Sequence, residues 1–255
     1  MHLDRDGTAY ATPETVSCIS WNIHRGRGND GRVDAARILD VLRDEVWHAD
    51  ADALFLQEAD AEAQPHHGVL DVARVEAITG LHHVQGDTAS RSTAQSHGFH
   101  GLVAYLHPDM AVEDVRVIDL IGLCPRGAVV VDAERAGRKV RFVVTHLSLG
   151  QALRVMQMSA IGQHLRRLDR RSVILCGDLN EWRPWGGLAL SKRVLGQGFK
   201  GPVRATFPVQ RPVLPLDRIL TNAPGLVDRM RVLDGPGIRM ASDHRPITAR
   251  VTLAR

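Results

Sequence analysis

Short apolar runs recur along the chain and predict more strands than helices. Each run is rich in Val, Ile, Leu or Phe and is bounded by polar, Gly- or Pro-containing stretches, as is typical of buried strands. Two of the runs, 128–132 and 139–145, are joined by a Gly-containing stretch that predicts a hairpin. The predicted strands are residues 16–21, 53–56, 102–106, 112–120, 128–132, 139–145, 173–176, 217–220, 226–233 and 247–253.

Three longer segments place their apolar residues at helical spacing. They are residues 32–47, 70–78 and 149–168, and the second is expected to stop at Gly80. Hairpin steps alternate with helical crossovers along the chain. The pattern therefore predicts an α/β fold of mixed sheets covered by helices, with one continuous domain over residues 16–255 after an N-terminal extension over residues 1–15.

The composition is that of an ordinary globular protein, with 44% apolar and 24% charged residues among 255. A net charge of +3 permits an anionic substrate without requiring one. Cys18, Cys124 and Cys176 show no paired spacing, which argues against a disulfide framework. Residues 1–16 lack the apolar centre of a signal peptide, and no run of about 18 apolar residues could span a membrane. A cytoplasmic protein is expected.

Acids, amides and imidazoles recur where the predicted strands begin or end. The most informative group is Gly177-Asp178-Leu179-Asn180, because an acid and an amide beside a buried strand end can point into one cleft. Taken singly, such residues have common structural explanations, for example a turn cap for Asn22 or a core position for His146. Together they favour a functional site. The other groups are Trp21-Asn22, Gln57-Glu58, Thr145-His146-Leu147, Leu216-Asp217-Arg218-Ile219 and Ser242-Asp243-His244-Arg245-Pro246.

These six groups, in this order, resemble the signature blocks of the endonuclease/exonuclease/phosphatase superfamily, which includes DNase I, sphingomyelinases and inositol polyphosphate 5-phosphatases. The resemblance covers residues 16–253, nearly the whole chain, and the Pro-rich approach to Asp217 is similar to that of small bacterial members. It implies a DNase I-like four-layer α/β sandwich, in which two packed mixed sheets are flanked by helices. It also implies hydrolysis of a phosphoester by in-line attack of water on phosphorus.

The resemblance further implies a role for each group. Glu58 is expected to bind Mg²⁺, with Mn²⁺ as the alternative ion, and Asn22 and Asp243 are expected nearby. His244 is expected to act as general base or to orient the attacking water, and Asp178 to align that water. Asn180 and His146 are expected to contact the phosphate, and His146 to protonate the leaving oxygen. Asp217 is expected to orient one of the two histidines.

The chain departs from two branches of the family, one departure bearing on the substrate and the other on the support of the general base. AP endonucleases typically carry a Tyr-containing block where this chain has Thr145-His146-Leu147, so repair of abasic sites is disfavoured. The stretch 96–101 lacks the glutamate with which DNase I supports its general base. His97 or His100 could replace that glutamate, or Asp217 could act alone.

Several further side chains are candidates for substrate binding. Arg25, Arg27 and Arg32 follow Asn22 in a Gly-rich loop, and Arg126 opens a strand leading toward His146. Trp182 and Trp185 could stack on a base, enter a lipid interface or pack in the core. The leading hypothesis is a phosphodiesterase acting on nucleic acid. The alternatives are a lipid phosphodiesterase, a small-molecule phosphatase and, less favoured because the ligand set is intact, an inactive binding module.

Overall fold

We describe a computed structural model of the chain over residues 15–222 and 226–253. The first strand begins at Thr15. Residues 1–14 lie outside the described residues, and they include most of the predicted N-terminal extension and of the segment in which no signal peptide is expected. Eleven strands are described: β1 Thr15–Asn22, β2 Ala53–Gln57, β3 His82–His83, β4 Val103–Leu106, β5 Ala111–Leu120, β6 Arg126–Arg135, β7 Arg138–His146, β8 Ser172–Asp178, β9 Asp217–Thr221, β10 Leu226–Val232 and β11 Ile247–Thr252.

The strands form two mixed sheets. The first has the order β10-β11-β1-β2-β4-β3, and the second has the order β5-β6-β7-β8-β9. Each sheet contains a single parallel pair among its described strands, β1 with β2 and β7 with β8, while the other neighbours run antiparallel. Both parallel pairs are connected by segments long enough to hold a helix, as parallel pairing requires.

Five α-helices lie among the described residues: α1 Ala35–Val41, α2 Val72–Thr79, α3 Gln151–Leu165, α4 Lys192–Leu195 and α5 Pro236–Ala241. The helix predicted over residues 32–47 starts later, at Ala35, because the side chain of Asp34 caps it, and it continues as a π-turn over Leu42–Val46. As predicted, α2 ends at Gly80, which adopts a left-handed conformation. The short elements β3, α4 and α5 were missed by the apolar pattern.

Three hydrophobic cores explain the layered arrangement. Alternate side chains of β1 lie on opposite faces of the first sheet. Val16 and Cys18 face the second sheet, while Ile19 and Trp21 pack beneath helices α1, α2 and α5. In β8, Ile174 and Cys176 likewise join the core between the sheets, whereas Val173 and Leu175 pack beneath α3 and α4. Two packed mixed sheets flanked by helices confirm the predicted α/β four-layer fold.

The parallel pairs decide where functional side chains can meet. The carboxyl ends of β1, β2, β7 and β8 all lie at one end of the sandwich, and β9 and β11 begin there because they run antiparallel to β8 and β1. All six polar groups singled out in the sequence lie at this end, which we call the polar end. No helix among the described residues is long and apolar enough to cross a membrane.

Candidate active site

Three candidate residues lie side by side across the second sheet. His146, the last residue of β7, is paired with Asp178 of β8, and Asp178 is paired with Asp217 of β9. The strand β8 therefore continues through Gly177, where the sequence suggested a turn. A Cβ at Gly177 would lie 2.0 Å from the carbonyl oxygen of Thr145, and φ is +127°, so this close approach requires glycine.

One carboxylate oxygen of Asp178 lies at the centre of the site. Its Oδ2 accepts a hydrogen bond from Nδ2 of Asn22 at 3.2 Å, and it lies 3.4 Å from Nε2 of His146 and 3.7 Å from Nε2 of His244. The other oxygen accepts a hydrogen bond from the backbone N–H of Asn180 at 3.0 Å. Asp178 therefore joins residues from both sheets, and all five of these side chains are buried.

Asp217 contacts His244 and not His146. Its Oδ2 lies 2.9 Å from Nδ1 of His244 and accepts a second hydrogen bond from the hydroxyl of Thr206 at 2.5 Å. The ring of Phe207 packs on the imidazole at 4.9 Å between centroids. These contacts fix the plane of the ring and direct Nε2 toward Asp178. The question that the sequence left open, which histidine Asp217 holds, is answered in favour of His244.

Glu58 lies just beyond β2, next to Asn22 of β1. Its Oε1 is 3.5 Å from Nδ2 of Asn22 and 3.9 Å from Nδ1 of His146, and its Oε2 pairs with Arg25 at 2.5 Å. Glu58, Arg25 and Asn180 all have positive φ angles, of +52°, +52° and +49°. Non-glycine residues rarely adopt this conformation, and such residues cluster at functional sites. The surrounding contacts therefore hold these groups in strained positions.

Burial and neighbouring charge give the two histidines different proton affinities. Burial lowers the pKa of His146 to about 4, and the adjacent Asp178 only partly opposes this. Burial also disfavours the charged form of His244, but the carboxylates of Asp217 and Asp178 outweigh it and raise the pKa of His244 to about 10. Burial raises the pKa of Asp178, although both histidines act in the opposite direction. A bound divalent cation would change all three values, so roles are assigned below from geometry.

Two groups of donors are suited to a cation. Glu58 offers carboxylate oxygens beside the cavity described next, which fits the preference of Mg²⁺ for oxygen ligands and several waters. Asp178, Asp217 and His244 also bring one donor atom each within 4.8 Å of one another. In that second group, Oδ2 of Asp217 and Nδ1 of His244 are already hydrogen-bonded to each other, and all three side chains are buried, which disfavours a hydrated ion. The residues present therefore fit a divalent cation at Glu58.

The predicted metal ligands are not all in contact. The Oδ1 of Asn22 accepts a hydrogen bond from the backbone N–H of His24 at 3.0 Å, so its amide nitrogen, and not its oxygen, faces Glu58. Asp243 lies 3.6 Å from Nδ1 of His24. Within the described residues, no hydrogen bond or ion pair joins Asp243 to Glu58 or Asn22. The structure thus brings Glu58 and Asn22 together and places Asp243 next to His24.

A cavity of about 250 Å³ opens beside Glu58 and His146. Arg126 and Arg25 line it, whereas Arg27 and Arg32 do not and are exposed to solvent. The Nε of Arg126 is buried without a hydrogen-bond partner, and one of its terminal nitrogens donates to the carbonyl of Pro125 at 3.1 Å. Two cationic side chains therefore face the space next to the candidate catalytic groups, and one of them has an unused N–H donor.

The two histidines proposed as substitutes for the missing glutamate occupy different positions. His100 lines the cavity and lies 3.2 Å from Asp119. The ring of His97 packs against that of His83 at 6.5 Å between centroids. In the part of the chain that is described, neither ring contacts His244, so Asp217 is its carboxylate partner.

Sequence reasoning missed the side chains that hold the candidate catalytic groups in place. Thr206 is buried against Asp217, and Ser242 donates its hydroxyl hydrogen to the carbonyl of Asn22 at 2.7 Å while accepting the backbone N–H of His244. The indole N–H of Trp21 donates to the carbonyl of His244. Ser242 was part of a recognised block, but Thr206 carried no signal beyond its nearness to Asp217 in sequence.

Large apolar side chains surround one side of the site. We use the name apolar rim for Ile121, Leu123, Leu149, Trp182 and Trp185, which are all exposed, Leu123 by 97% and Trp185 by 76%. The exposure of the two tryptophans excludes the core-packing explanation. Buried polar contacts hold the three loops of the rim together, because Gln157 donates to the carbonyl of Ile121 and to Ser148, and Arg154 donates to the carbonyl of Leu149 and lies 3.5 Å from Glu181.

Comparison with known proteins gives relatives over nearly the full length. The uncharacterized protein YbhP of Escherichia coli K12 is 28% identical over 249 residues, which are 92% of this chain and 95% of YbhP. Among solved structures, D. rerio TDP2 complexed with a single-strand DNA product has a TM-score of 0.65 at 17% identity, with 93% and 98% of the two chains covered. The mannosyl-6-phosphatase Bt3783 of Bacteroides thetaiotaomicron has a TM-score of 0.66 at 16% identity, with 94% and 100% covered.

At such identities the solved structures show that the fold is shared. The family itself is shown by the sequence, because the profile of the Endonuclease/Exonuclease/phosphatase family matches residues 19–244. That range begins within β1 and ends at His244, so it includes part or all of each of the six groups at the polar end and every candidate catalytic and metal-binding residue among them. The chain belongs to the Endonuclease/Exonuclease/phosphatase family.

Proposed function

We propose that this chain is a divalent-metal-dependent phosphoester hydrolase that attacks phosphorus with water. The observation that carries the proposal is the position of Asp178 Oδ2, within 3.2–3.7 Å of Asn22, His146 and His244, beside the cavity and the carboxylate of Glu58. A carboxylate between two imidazoles can align a water molecule and accept its hydrogen bond. The family and the solved relatives support phosphoester hydrolysis as the reaction class.

Each catalytic group has a role that follows from its contacts. Asp217 holds Nδ1 of His244, so that Nε2 faces the site and can orient the attacking water and take its proton. The side-chain amide of Asn180 donates one N–H to the carbonyl of Leu147 at 2.8 Å, which leaves its second N–H for a phosphate oxygen. His146 lies on the other side of Asp178 and contacts the phosphate or the leaving oxygen.

Glu58 is the proposed metal ligand, with Asn22 positioning its carboxylate and Asp243 contributing from the side of His24. A bound Mg²⁺ or Mn²⁺ would polarise a phosphoryl oxygen and stabilise the charge that develops during hydrolysis. The present partner of Glu58 is the guanidinium of Arg25. A cation bound at this carboxylate would compete with Arg25, whose guanidinium would then be available to a phosphate oxygen.

The leading substrate is a phosphodiester of nucleic acid. Arg126 and Arg25 line the cavity, and a guanidinium with an unused N–H is suited to a phosphate oxygen. D. rerio TDP2, which shares the fold, was solved with a single-strand DNA product. The exposed Trp182 and Trp185 would supply faces on which bases can stack.

A second candidate, a lipid phosphoester, is favoured by the apolar rim. Leu123 and Leu149 are nearly fully exposed beside two tryptophans, and aliphatic side chains contribute nothing to base stacking. Trp and Leu projecting together from loops are typical of surfaces that enter the boundary of a lipid bilayer. This candidate uses the same catalytic groups and differs only in what the rim contacts.

A substrate panel separates these candidates. The purified chain is incubated with plasmid DNA, single-stranded DNA, RNA, sphingomyelin vesicles, inositol phosphates and a sugar phosphate, with Mg²⁺, with Mn²⁺ and with EDTA. We expect metal-dependent cleavage of a nucleic acid that is absent in the His244→Ala variant. Cleavage of vesicle lipid alone would replace the leading substrate by the second, and no hydrolysis of any phosphoester would indicate a binding module.

A further inference from the structure

A second cavity, larger than the first, lies at the opposite end of the second sheet. Its volume is about 1170 Å³, above the usual size of small-ligand sites, and three segments line it. They are the β6–β7 hairpin turn at residues 136–139, the loop after α3 at residues 165–173, and α4 with the turn that follows it. Leu165, Leu168 and Leu195 are apolar members of its lining.

The lining of this cavity is strongly cationic. It contains one carboxylate, Asp169, against seven cationic side chains: Arg138, Lys139, Arg141, Arg166, Arg170, Arg171 and Lys192. Because the whole chain has a net charge of only +3, the rest of the chain is net negative. Positive charge is thus concentrated in this cavity and not spread over the surface.

Part of this charge is already neutralised by the protein. Arg141 is 1% exposed and pairs with Asp132 at 2.6 Å and Asp169 at 2.7 Å, while Arg171 pairs with Asp169 and Glu113. The Nε of Arg171 is nevertheless without a hydrogen-bond partner. It is buried, because the side chain is only 6% exposed. A buried, charged donor without an acceptor is costly, and it marks a place where an anion would be favourable.

Three other cations of the lining have no carboxylate partner. Arg166, Arg170 and Lys192 are exposed, and no acid within the described ranges comes within 4.0 Å of them. Arg166 and Arg170 follow α3, whereas Lys192 begins α4, so two segments present cations to the same space, where an anion would be favourable. Burial lowers the pKa of the nearby His164, and the guanidinium groups of Arg116, Arg141 and Arg167 lower it further, as expected in a positive field.

We propose that this cavity binds a small, multiply phosphorylated ligand of the nucleotide or polyphosphate class, at a site separate from the polar end. Several cations that converge on one concave space are suited to several phosphate oxygens, and the leucines of the lining can contact a less polar part of the ligand. An extended nucleic-acid backbone would require a continuous basic surface instead.

The two sites are well separated. The pair Val140–Ser172 lies beside the cavity, and the parallel pair His146–Asp178 lies six positions further along the same two strands. At about 3.3 Å per residue, this corresponds to about 20 Å. A ligand of nucleotide size in the cavity therefore cannot touch the catalytic groups, and the inference does not depend on the proposed hydrolase function.

The test compares two double variants. The residues substituted in the second are the immediate sequence neighbours of those substituted in the first. Arg166→Ala with Lys192→Ala removes two cations of the lining, and Arg167→Ala with Arg193→Ala removes their sequence neighbours, which are exposed but lie outside the cavity. Tripolyphosphate and ATP are titrated calorimetrically into each protein in EDTA. We expect one site per chain in the wild type and the control, and affinity at least about tenfold weaker in the cavity variant, as expected for loss of charge-assisted contacts.

Three results would overturn the proposal: no binding by the wild type, equal weakening in both double variants, or loss of binding in the active-site variant His244→Ala. A single-stranded oligonucleotide serves as a further probe. If it binds through Arg166 and Lys192 while tripolyphosphate and ATP do not, the site belongs to a nucleic acid and the small-ligand assignment is wrong. Thermal melting confirms that both double variants fold, and hydrolysis by them is expected to remain at the wild-type rate.

Discussion

The carboxylate of Asp217 lies 2.9 Å from Nδ1 of His244, and this contact determines which ring nitrogen faces Asp178. Asp217 is completely buried, and its second oxygen has no hydrogen-bond partner among the described residues. A buried carboxylate held by one imidazole and one hydroxyl serves to orient that imidazole, in the manner of the acid in a catalytic triad.

Replacing Asp217 by Asn is therefore expected to lower kcat by about 10²–10⁴ while the fold is retained, because an amide can present the wrong hydrogen-bonding group to Nδ1. Thr206→Val, which removes only the hydroxyl, should have a much smaller effect on kcat. Both are measured by steady-state hydrolysis, with circular dichroism as the control for folding. An Asp217→Asn variant with the wild-type kcat would show that His244 does not need this carboxylate.

Glu58→Gln should raise the concentration of Mg²⁺ needed for half-maximal activity by at least about tenfold, because a neutral amide is a weaker ligand than a carboxylate. The matched control is Glu62→Gln, since Glu62 lines the same cavity and is exposed to solvent. The metal dependence of hydrolysis is measured for both variants. An identical Mg²⁺ dependence of the two would place the metal elsewhere.

Arg126→Ala should raise KM by about tenfold to a hundredfold, the usual loss for a charge-assisted hydrogen bond to phosphate. Arg27→Ala is the control, because Arg27 is exposed and does not line the cavity. If both substitutions raise KM equally, the effect is one of general surface charge. An unchanged KM in the Arg126 variant would remove this residue from substrate binding.

Gly177→Ala is expected to destabilise the fold by about 1–3 kcal/mol, since the new Cβ would meet the carbonyl of Thr145 and φ lies in a region that alanine avoids. Gly86→Ala should be nearly neutral, because nothing lies within 4 Å of a Cβ there. Urea unfolding of the two variants makes the comparison. Equal stability would show that β7 and β8 can separate locally at little cost.

The stability of the chain at acid pH should depend on Asp132. Burial opposes ionisation of this carboxyl, but hydrogen bonds from Arg141 and Arg116 outweigh burial and lower its pKa. A carboxyl with a lowered folded pKa stabilises the fold above its unfolded pKa of about 4, and this contribution is lost as the pH falls through the folded value. Acid should therefore weaken the fold through this group.

Asp132→Asn tests this expectation. At neutral pH it should cost about 3–5 kcal/mol, because buried Arg141 loses a charged partner. The difference from the wild type should shrink between pH 6 and pH 3 in chemical unfolding, whereas Asp109→Asn, at an exposed position, should change little at either pH. A difference that is independent of pH would mean that the pKa of Asp132 is the same in the folded and the unfolded chain.

The fold could be predicted because apolar runs such as 139–145 and 173–176 indicate the strands. The polar groups at the ends of these runs lie together once the strands pair. What could not be predicted depends on contacts distant in sequence. The partner of Asp217 is fixed by the approach of the loop before β11 to β9, and no periodicity records that approach. The rotation of Asn22, which turns its nitrogen toward Glu58, is likewise set by the backbone of His24. The cationic cavity combines three segments that are far apart in sequence; the basic run at residues 166–171 indicates a charged surface but does not indicate a cavity.

The site is divided between the two sheets: Asn22 and Glu58 belong to the first, and His146, Asp178 and Asp217 to the second. Between the sheets, Phe55 packs against Phe142 at 5.3 Å. Hydrolysis therefore reports on the alignment of one sheet over the other. A substitution that loosens the Phe55–Phe142 contact should abolish turnover while each sheet keeps its own hydrogen bonds. Catalytic activity therefore depends on how the two sheets pack against each other.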